Sequence, residues 1–271
     1  MDNVVSIMFK GSRREFYHNA LELPFAIGDY AVVEVEKGEN MGVITQRNLS
    51  IDKKLVKKNR SILRKGSAED IKKLHKNRER EVKAYENSLK KVQKHGLDMK
   101  ITDVEYQIDG KKLTFYFTAD ERIDFRELVK TLAGEYRTRI ELRQIGPRDE
   151  AKRHDGCGVC GLRLCCSSWM PKFEPINTQM AKVQALPINP SRLAGVCGRL
   201  KCCLRFEHDF YSDAMNHFPK VGTKIRSDKG VVEVAKVDIF RELIYIRYPT
   251  EEWEAVKIDE FNSKFSAVSA N

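Results

Sequence analysis

All seven cysteines of this 271-residue chain fall between Cys157 and Cys203, and that crowding constrains the chain more than any other feature. The stretch also repeats itself. Gly158-Val159-Cys160-Gly161 leads to Leu164-Cys165-Cys166, and 37 residues later Gly195-Val196-Cys197-Gly198 leads to Lys201-Cys202-Cys203. Each copy is a Cys-x4-Cys-Cys opened by Gly-Val. Two doublets at one offset from a Cys-Gly point to two metal-binding or redox half-sites built on one plan. The glycines let the backbone approach a metal or its sulfurs without a Cβ in the way. The rest of the chain reads as scaffold for this stretch.

The N-terminus has only a short apolar run, Val4 to Phe9, and no later run is long enough to span a bilayer. The expectation is a cytoplasmic protein with no integral membrane segment. Clustered thiols in that compartment stay reduced, and a reduced cluster points to metal rather than disulfides. Thiolates select zinc, copper(I) or iron-sulfur clusters over hard ions. Zinc would take four thiols and leave three over, whereas cluster iron can use more of them. Neighbouring residues on a helix diverge by about 100°, so Cys165 and Cys166 are poorly placed to serve one corner set together. Either the doublets serve different sites or one member is simply core. His154 and His208 flank the region and are secondary ligand candidates, although such histidines more commonly lie on the surface.

The length accommodates two or three small domains. Residues 1–50 alternate apolar and polar positions in Val4 to Phe9, Tyr30 to Val35 and Gly42 to Gln46, with turn residues between them. They read as a small barrel-like β module. Residues 219–271 repeat that style, with strands at Thr223 to Arg226, Val231 to Val237 and Leu243 to Tyr248 and a turn at Asp228-Lys229-Gly230. The two ends form either one composite sheet or two modules. Residues 51–96 read as a basic helical segment with a start near Gly66-Ser67 and an apolar stripe of Val82, Tyr85, Leu89 and Val92.

Residues 97–145 read as an α+β sandwich with a central antiparallel sheet. Its hairpin, Lys100 to Ile108 and Lys111 to Thr118, turns at Asp109-Gly110. A helix then starts at Asp124, with Glu127 at the capping-box position and Phe125, Leu128, Val129 and Leu132 on its buried face, and it ends at Gly134. A strand follows at Arg137 to Arg143. Residues 146–218 are the cysteine-rich, metal-binding region. The fold class is α+β.

Net charge is +10, which suggests an anionic partner. Lysines and arginines exceed acids by roughly ten in the helical segment, so Lys53 to Lys94 is either a solvated helical face or a surface for RNA or an acidic partner. Charge reversal at Lys53, Lys54, Lys57 and Lys58 tests that surface. Enzyme signatures are absent: there is no phosphate-binding P-loop, no H-E-x-x-H zinc motif and no C-x3-C-x2-C radical motif. Cys157-Gly158-Val159-Cys160 is a C-x-x-C and makes a thiol-disulfide oxidoreductase the enzymatic rival, one that a low-pKa cysteine beside Arg163 or His154 would support. A zinc-dependent nucleic-acid-binding module is a third class.

Gly146-Pro147-Arg148-Asp149-Glu150-Ala151-Lys152, Cys160-Gly161 through Cys165-Cys166, Met180-Ala181-Lys182-Val183-Gln184, Asn189-Pro190 and Cys197-Gly198 through Cys202-Cys203 occur in that order. In these residues the chain resembles the bacterial RicT, or YaaT, family, which carries the PSP-type C-terminal domain. The resemblance is dense from about Arg122 to Phe210. It implies a cytoplasmic regulatory protein rather than an enzyme. It also implies [4Fe-4S] cluster binding, small helical partners of YlbF and YmcA type, and service to an endoribonuclease in mRNA maturation, with effects on sporulation, competence or biofilm formation. An older view of the family makes it a phosphorelay accelerator. The cysteines matching the family motif are Cys160, Cys165, Cys166, Cys197, Cys202 and Cys203. Cys157 departs from the motif and joins the ligand candidates on chemistry alone.

Overall fold

The computed structural model describes residues 3–47, 49, 60–170, 173–227 and 230–264. The chain divides into two compact units, Met1–Phe173 with Gly195–Arg199, and Glu174–Ala194 with Leu200–Asn271. The α+β class holds throughout.

In the first unit, β1 (Val4–Met8), β2 (Arg14–His18), β3 (Tyr30–Val35), β4 (Gly38–Gln46) and β5 (Ile62–Lys65) form one sheet in the order β2-β1-β4-β3-β5. Its alternating apolar residues place Val5, Ile7, Tyr17, Ala31, Val33, Ile44 and Ile62 in one core. The edge strands β2 and β5 meet only at a single bridge, His18 to Ser61, so no ladder closes the described strands into a barrel. β5 lies within the expected helical segment. Ile62 is buried against Val33, and that tertiary pairing decides the local conformation. The lysines Lys53, Lys54, Lys57 and Lys58 and the turn residues Asp228 and Lys229 lie outside the described residues.

Helix α1 (Ala68–Lys94) starts where Gly66-Ser67 suggested. Ser67 accepts from the Asp70 amide and the Asp70 carboxylate accepts from the Ser67 amide, a complete capping box. Half of the expected apolar stripe holds: Val92 is buried and Tyr85 packs on the core, whereas Val82 and Leu89 are exposed and the helix buries Asn77, Glu81, Ala84 and Ser88 beside Val92. Polar partners explain this. Glu81 accepts from Lys10 at 2.8 Å, from Arg78 and from the Tyr106 amide at 2.8 Å, while Asn77 donates to the carbonyls of Gln107 and Ile108. A buried polar face with partners costs little.

β6 (Lys100–Tyr106) and β7 (Lys112–Thr118) form the expected hairpin, followed by α2 (Arg126–Tyr136) and β8 (Arg139–Gln144). The sheet is not wholly antiparallel, because β8 runs parallel to β7, pairing Lys112 with Arg139 through Phe117 with Gln144. α2 carries the chain back to the starting end of β7, and such a crossover delivers a parallel neighbour. α2 starts one to two residues after Asp124, which accepts from the Arg126 amide at 3.2 Å. It runs through Gly134 and ends at Arg137, which adopts the left-handed conformation. Leu113, Phe115, Phe117, Leu128 and Leu132 are buried between sheet and helices, each contributing about 2 kcal/mol.

A buried ionic layer ties the first sheet to β6 and to α3 (Pro147–His154). Lys10 meets Asp103 at 2.7 Å, Arg153 meets Asp103 at 2.8 Å, and Arg13 meets Glu105 at 2.9 Å. The Arg153 guanidinium also lies 3.3 Å from the centre of the Tyr116 ring. α3 is thereby anchored just before the first cysteine.

In the second unit, α4 (Thr178–Val183), α5 (Pro190–Leu193) and α6 (Cys202–Met215) enclose a small core of Ala181, Leu193 and Leu204. β9 (Lys224–Ser227), β10 (Gly230–Asp238), β11 (Leu243–Arg247) and β12 (Trp253–Lys257) form an antiparallel sheet in the order β12-β11-β10-β9. α7 (Ile258–Lys264) contributes the buried Phe261 to the core of this sheet. β12 and α7 go beyond the strands expected here, although Pro249 marks the turn before β12.

Candidate metal centre

The sequence echo is a structural repeat. In the first copy the Gly158 amide donates to Leu162 O at 2.8 Å, Gly161 to Gly158 O at 3.0 Å and Leu164 to Gly156 O at 2.9 Å. In the second, Gly195 donates to Arg199 O at 2.8 Å, Gly198 to Gly195 O at 3.0 Å and Lys201 to Leu193 O at 2.9 Å. Bridges at Cys157 to Arg163 and Ala194 to Leu200 complete the match. Each copy is thus a tight knuckle. Gly161 and Gly198, at φ of 78° and 72°, occupy its left-handed position, which favours glycine. Superposing the hydrogen bonds makes Cys160 equivalent to Cys197, Cys165 to Cys202 and Cys166 to Cys203. Cys157 corresponds to Ala194 and stands outside the repeat.

The two knuckles are braced differently. In the first, Arg163 Nη2 donates to Asp155 at 2.6 Å and Ser167 Oγ also donates to Asp155. These bonds hold the Asp155 carboxyl far below the usual carboxylate range, with Arg163 the largest cause. In the second, the positions of Arg163 and Ser167 are taken by Leu200 and Leu204, which pack with Ala181 and Leu193. Gln184 donates to Leu204 O at 2.7 Å and fixes that brace from α4. The offset of 37 turns Arg163 and Ser167 into Leu200 and Leu204 and Asp155 into Arg192, so the second copy lacks the clamp, but spacing alone does not reveal it.

The doublets enter helical turns. Ser167 and Ser168 both donate to Leu164 O at 3.1 Å, starting a turn that stops at Met170, before Pro171. The equivalent bond from Leu204 to Lys201 O, at 3.2 Å, opens α6. Cys202 and Cys203 therefore sit in the first turn of α6.

Cys157, Cys160 and Cys203 are exposed, Cys165, Cys197 and Cys202 are half-buried, and Cys166 is buried. Burial pushes the Cys166 thiol up, and repulsion from Cys197 adds to this while Lys152 opposes it. Cys166 and Cys197, one from each knuckle, are thus within electrostatic reach. Lys152, which sequence reasoning missed, is pushed down by burial. Its only advance signal is its place at the end of the Gly146 to Lys152 motif.

Among the described residues no three histidine, cysteine or acidic side chains converge as a metal cage. His154 is exposed and lies 4.0 Å from Glu150, and His208 is half-buried with Nδ1 shielded and lacking a hydrogen-bond partner. The C-x-x-C of Cys157 and Cys160 lies on the knuckle turn rather than at a strand-helix junction, and the Arg163 guanidinium is occupied by Asp155. The donor chemistry suits a soft metal. The described arrangement does not preform a four-thiolate site.

A sheet with crossed helices followed by duplicated cysteine knuckles defines the class, that of chains with a PSP1 C-terminal conserved region. That family matches residues 60–145, and the third domain of PSP1-like proteins matches 175–218. The chain is 39% identical over 253 residues to the stage 0 sporulation protein YaaT of Bacillus subtilis, covering 93% of this chain and 92% of that protein. The chain belongs to the YaaT family. It is also 31% identical over 168 residues to an uncharacterised Schizosaccharomyces pombe protein, covering 51% of this chain and 22% of that one. A match to protein PSP1 of Saccharomyces cerevisiae is 54% identical over 46 residues, 17% of this chain and 6% of that protein. No solved structure matches. Among the described residues no helix is long and apolar enough to cross a membrane.

Proposed function

We propose that this chain is a cytoplasmic regulatory adaptor in sporulation control whose paired knuckles bind an iron-sulfur cluster. The carrying observation is the duplication of one knuckle with three thiols at equivalent positions. Membership in the YaaT family, over nearly the full length of both chains, supports the sporulation-related regulatory role. Cysteine thiolates are the donors that iron-sulfur clusters take. The cluster would supply a redox- and iron-sensitive bond between chain segments. Each knuckle would offer three of the four ligands that a [4Fe-4S] cluster takes, Cys160, Cys165 and Cys166 in the first and Cys197, Cys202 and Cys203 in the second. A fourth ligand for either three-thiol knuckle comes from the other knuckle or from a partner. The adaptor assembles with small helical proteins of YlbF and YmcA type and modulates endoribonuclease-dependent mRNA processing. If the partner supplies a ligand, cluster binding and assembly stabilise each other.

The test is anaerobic purification with and without those partners, followed by iron, sulfide and zinc analysis. The proposal expects iron and sulfide in equal amounts, rising with the partners present. Stoichiometric zinc without sulfide in both samples would overturn the cluster reading.

A further inference from the structure

The four-stranded sheet of the second unit has a covered face and a bare one. Ile225, Val232, Val234, Ile244, Ile246 and Val256 point into the core, where Met215, Phe218 and Phe261 also pack. Strand alternation sends the intervening residues to the opposite face. Lys224, Arg226, Lys236, Arg247 and Lys257 are all exposed there. The acids on that face are Glu233 and Asp238. Glu233 is paired with Arg247 at 2.8 Å, and Asp238 accepts from the Phe240 and Arg241 amides of its own turn at 3.2 and 3.1 Å. Cations therefore dominate.

Aromatic rings are set among these charges by the strand register. One row across the sheet runs Lys224, Glu233, Arg247, Trp253, and the next runs Lys236, Tyr245, Ala255. Trp253 is 59% exposed, and the Lys236 ammonium lies 5.6 Å from the Tyr245 ring centre. Neighbouring strands lie about 4.8 Å apart, so a ring and its flanking cations sit within one nucleotide's reach of each other.

We infer that the outer face of the β9–β12 sheet binds a single-stranded polynucleotide, with cations along the backbone and Trp253 and Tyr245 stacking on bases. Charge complementarity and interleaved rings select this occupant. Single strands are gripped by positive surfaces with aromatic platforms, and stacking tolerates any base. A second copy of the same face meets it with like charge. An apolar protein partner finds beside Trp253 only Ala255 and Tyr245, with Arg247 directly across and Lys236 beyond Tyr245, rather than a large apolar patch. The inference is independent of any metal at the cysteines. The exposed Lys72 and Lys73 of α1 offer the rival basic surface and enter the test as its control.

The test uses the full-length chain and fluorescein-labelled oligouridylate and oligothymidylate of about 12 nucleotides, within the span one such surface tracks. Anisotropy is read across a salt series. Trp253→Ala weakens binding about tenfold with the salt slope unchanged. The double variant Lys236→Gln, Arg247→Gln lowers that slope by about 1.4, or 0.7 per lost phosphate contact. All substituted side chains are exposed, and circular dichroism checks that each variant is folded. Binding of both oligonucleotides, or of the RNA alone, supports the sheet face when both variants are defective as stated. Wild-type affinity in both variants overturns the inference. So does loss of binding confined to Lys72→Glu, Lys73→Glu on α1, or displacement by polyglutamate as effective as by unlabelled oligonucleotide.

Discussion

Glu105 shows how single residues set the tolerance of this fold to acid. It is 7% exposed and accepts from Arg13 at 2.9 Å and from the Tyr116 hydroxyl at 3.1 Å. Burial alone would push its carboxyl up, but Arg13 and Arg153 more than offset that and hold it below its ordinary 4.5. A depressed folded-state value means that the stabilisation is complete above the ordinary value and is lost as pH falls through the folded one. Glu105→Gln, which leaves Arg13 and Arg153 short of a buried counter-charge, should cost about 3 kcal/mol at pH 7, read as a lower urea midpoint. The gap to wild type should narrow as pH falls from 4.5 through the lower folded-state value, because the carboxyl protonates first in the unfolded chain and then in the folded one. A gap that stays constant into acid would remove Glu105 from the account.

At the scale of elements, Ser67 and Asp155 make separate predictions. Ser67→Ala removes the cap of α1 and should cost about 1 kcal/mol, seen as a lower thermal midpoint. Asp155→Asn should speed hydrogen exchange at the Gly158 and Leu164 amides and leave Gly195 and Lys201 unchanged, because only the first knuckle uses the polar clamp. Equal acceleration in both knuckles would contradict the split. Legibility in the sequence also differs by element. The Asp109-Gly110 hairpin, the Ser67 start of α1 and the knuckle repeat were readable because turn and capping chemistry is local. The buried face of α1 was not, because its partners Lys10 and the Tyr106 amide come from remote strands. The same holds for β5, whose strand state rests on pairing with β3, and for the direction of β8, which the α2 crossover sets. The knuckle positions were legible, whereas the reach of Cys166 toward Cys197 depends on tertiary folding.

For the whole molecule, the main cores contain Phe115, Ile44 and Ile246 among others and no cysteine. Folding should therefore survive metal removal, with circular dichroism of the chelated protein close to that of the loaded one. A chain unstructured without metal would place it with small zinc domains instead. The central claim is that two equivalent knuckles, each with three matching thiols, form the metal-binding element, with Cys157 outside it. The most direct test is metal bound per chain in Cys157→Ala, Cys160→Ala and Cys197→Ala, purified anaerobically with partners. The account predicts that Cys157→Ala, which recreates the Ala194 of the second knuckle, keeps wild-type metal content, while Cys160→Ala and Cys197→Ala lose it to the same extent. Loss in Cys157→Ala equal to that in Cys160→Ala, or full retention in Cys197→Ala, would contradict it.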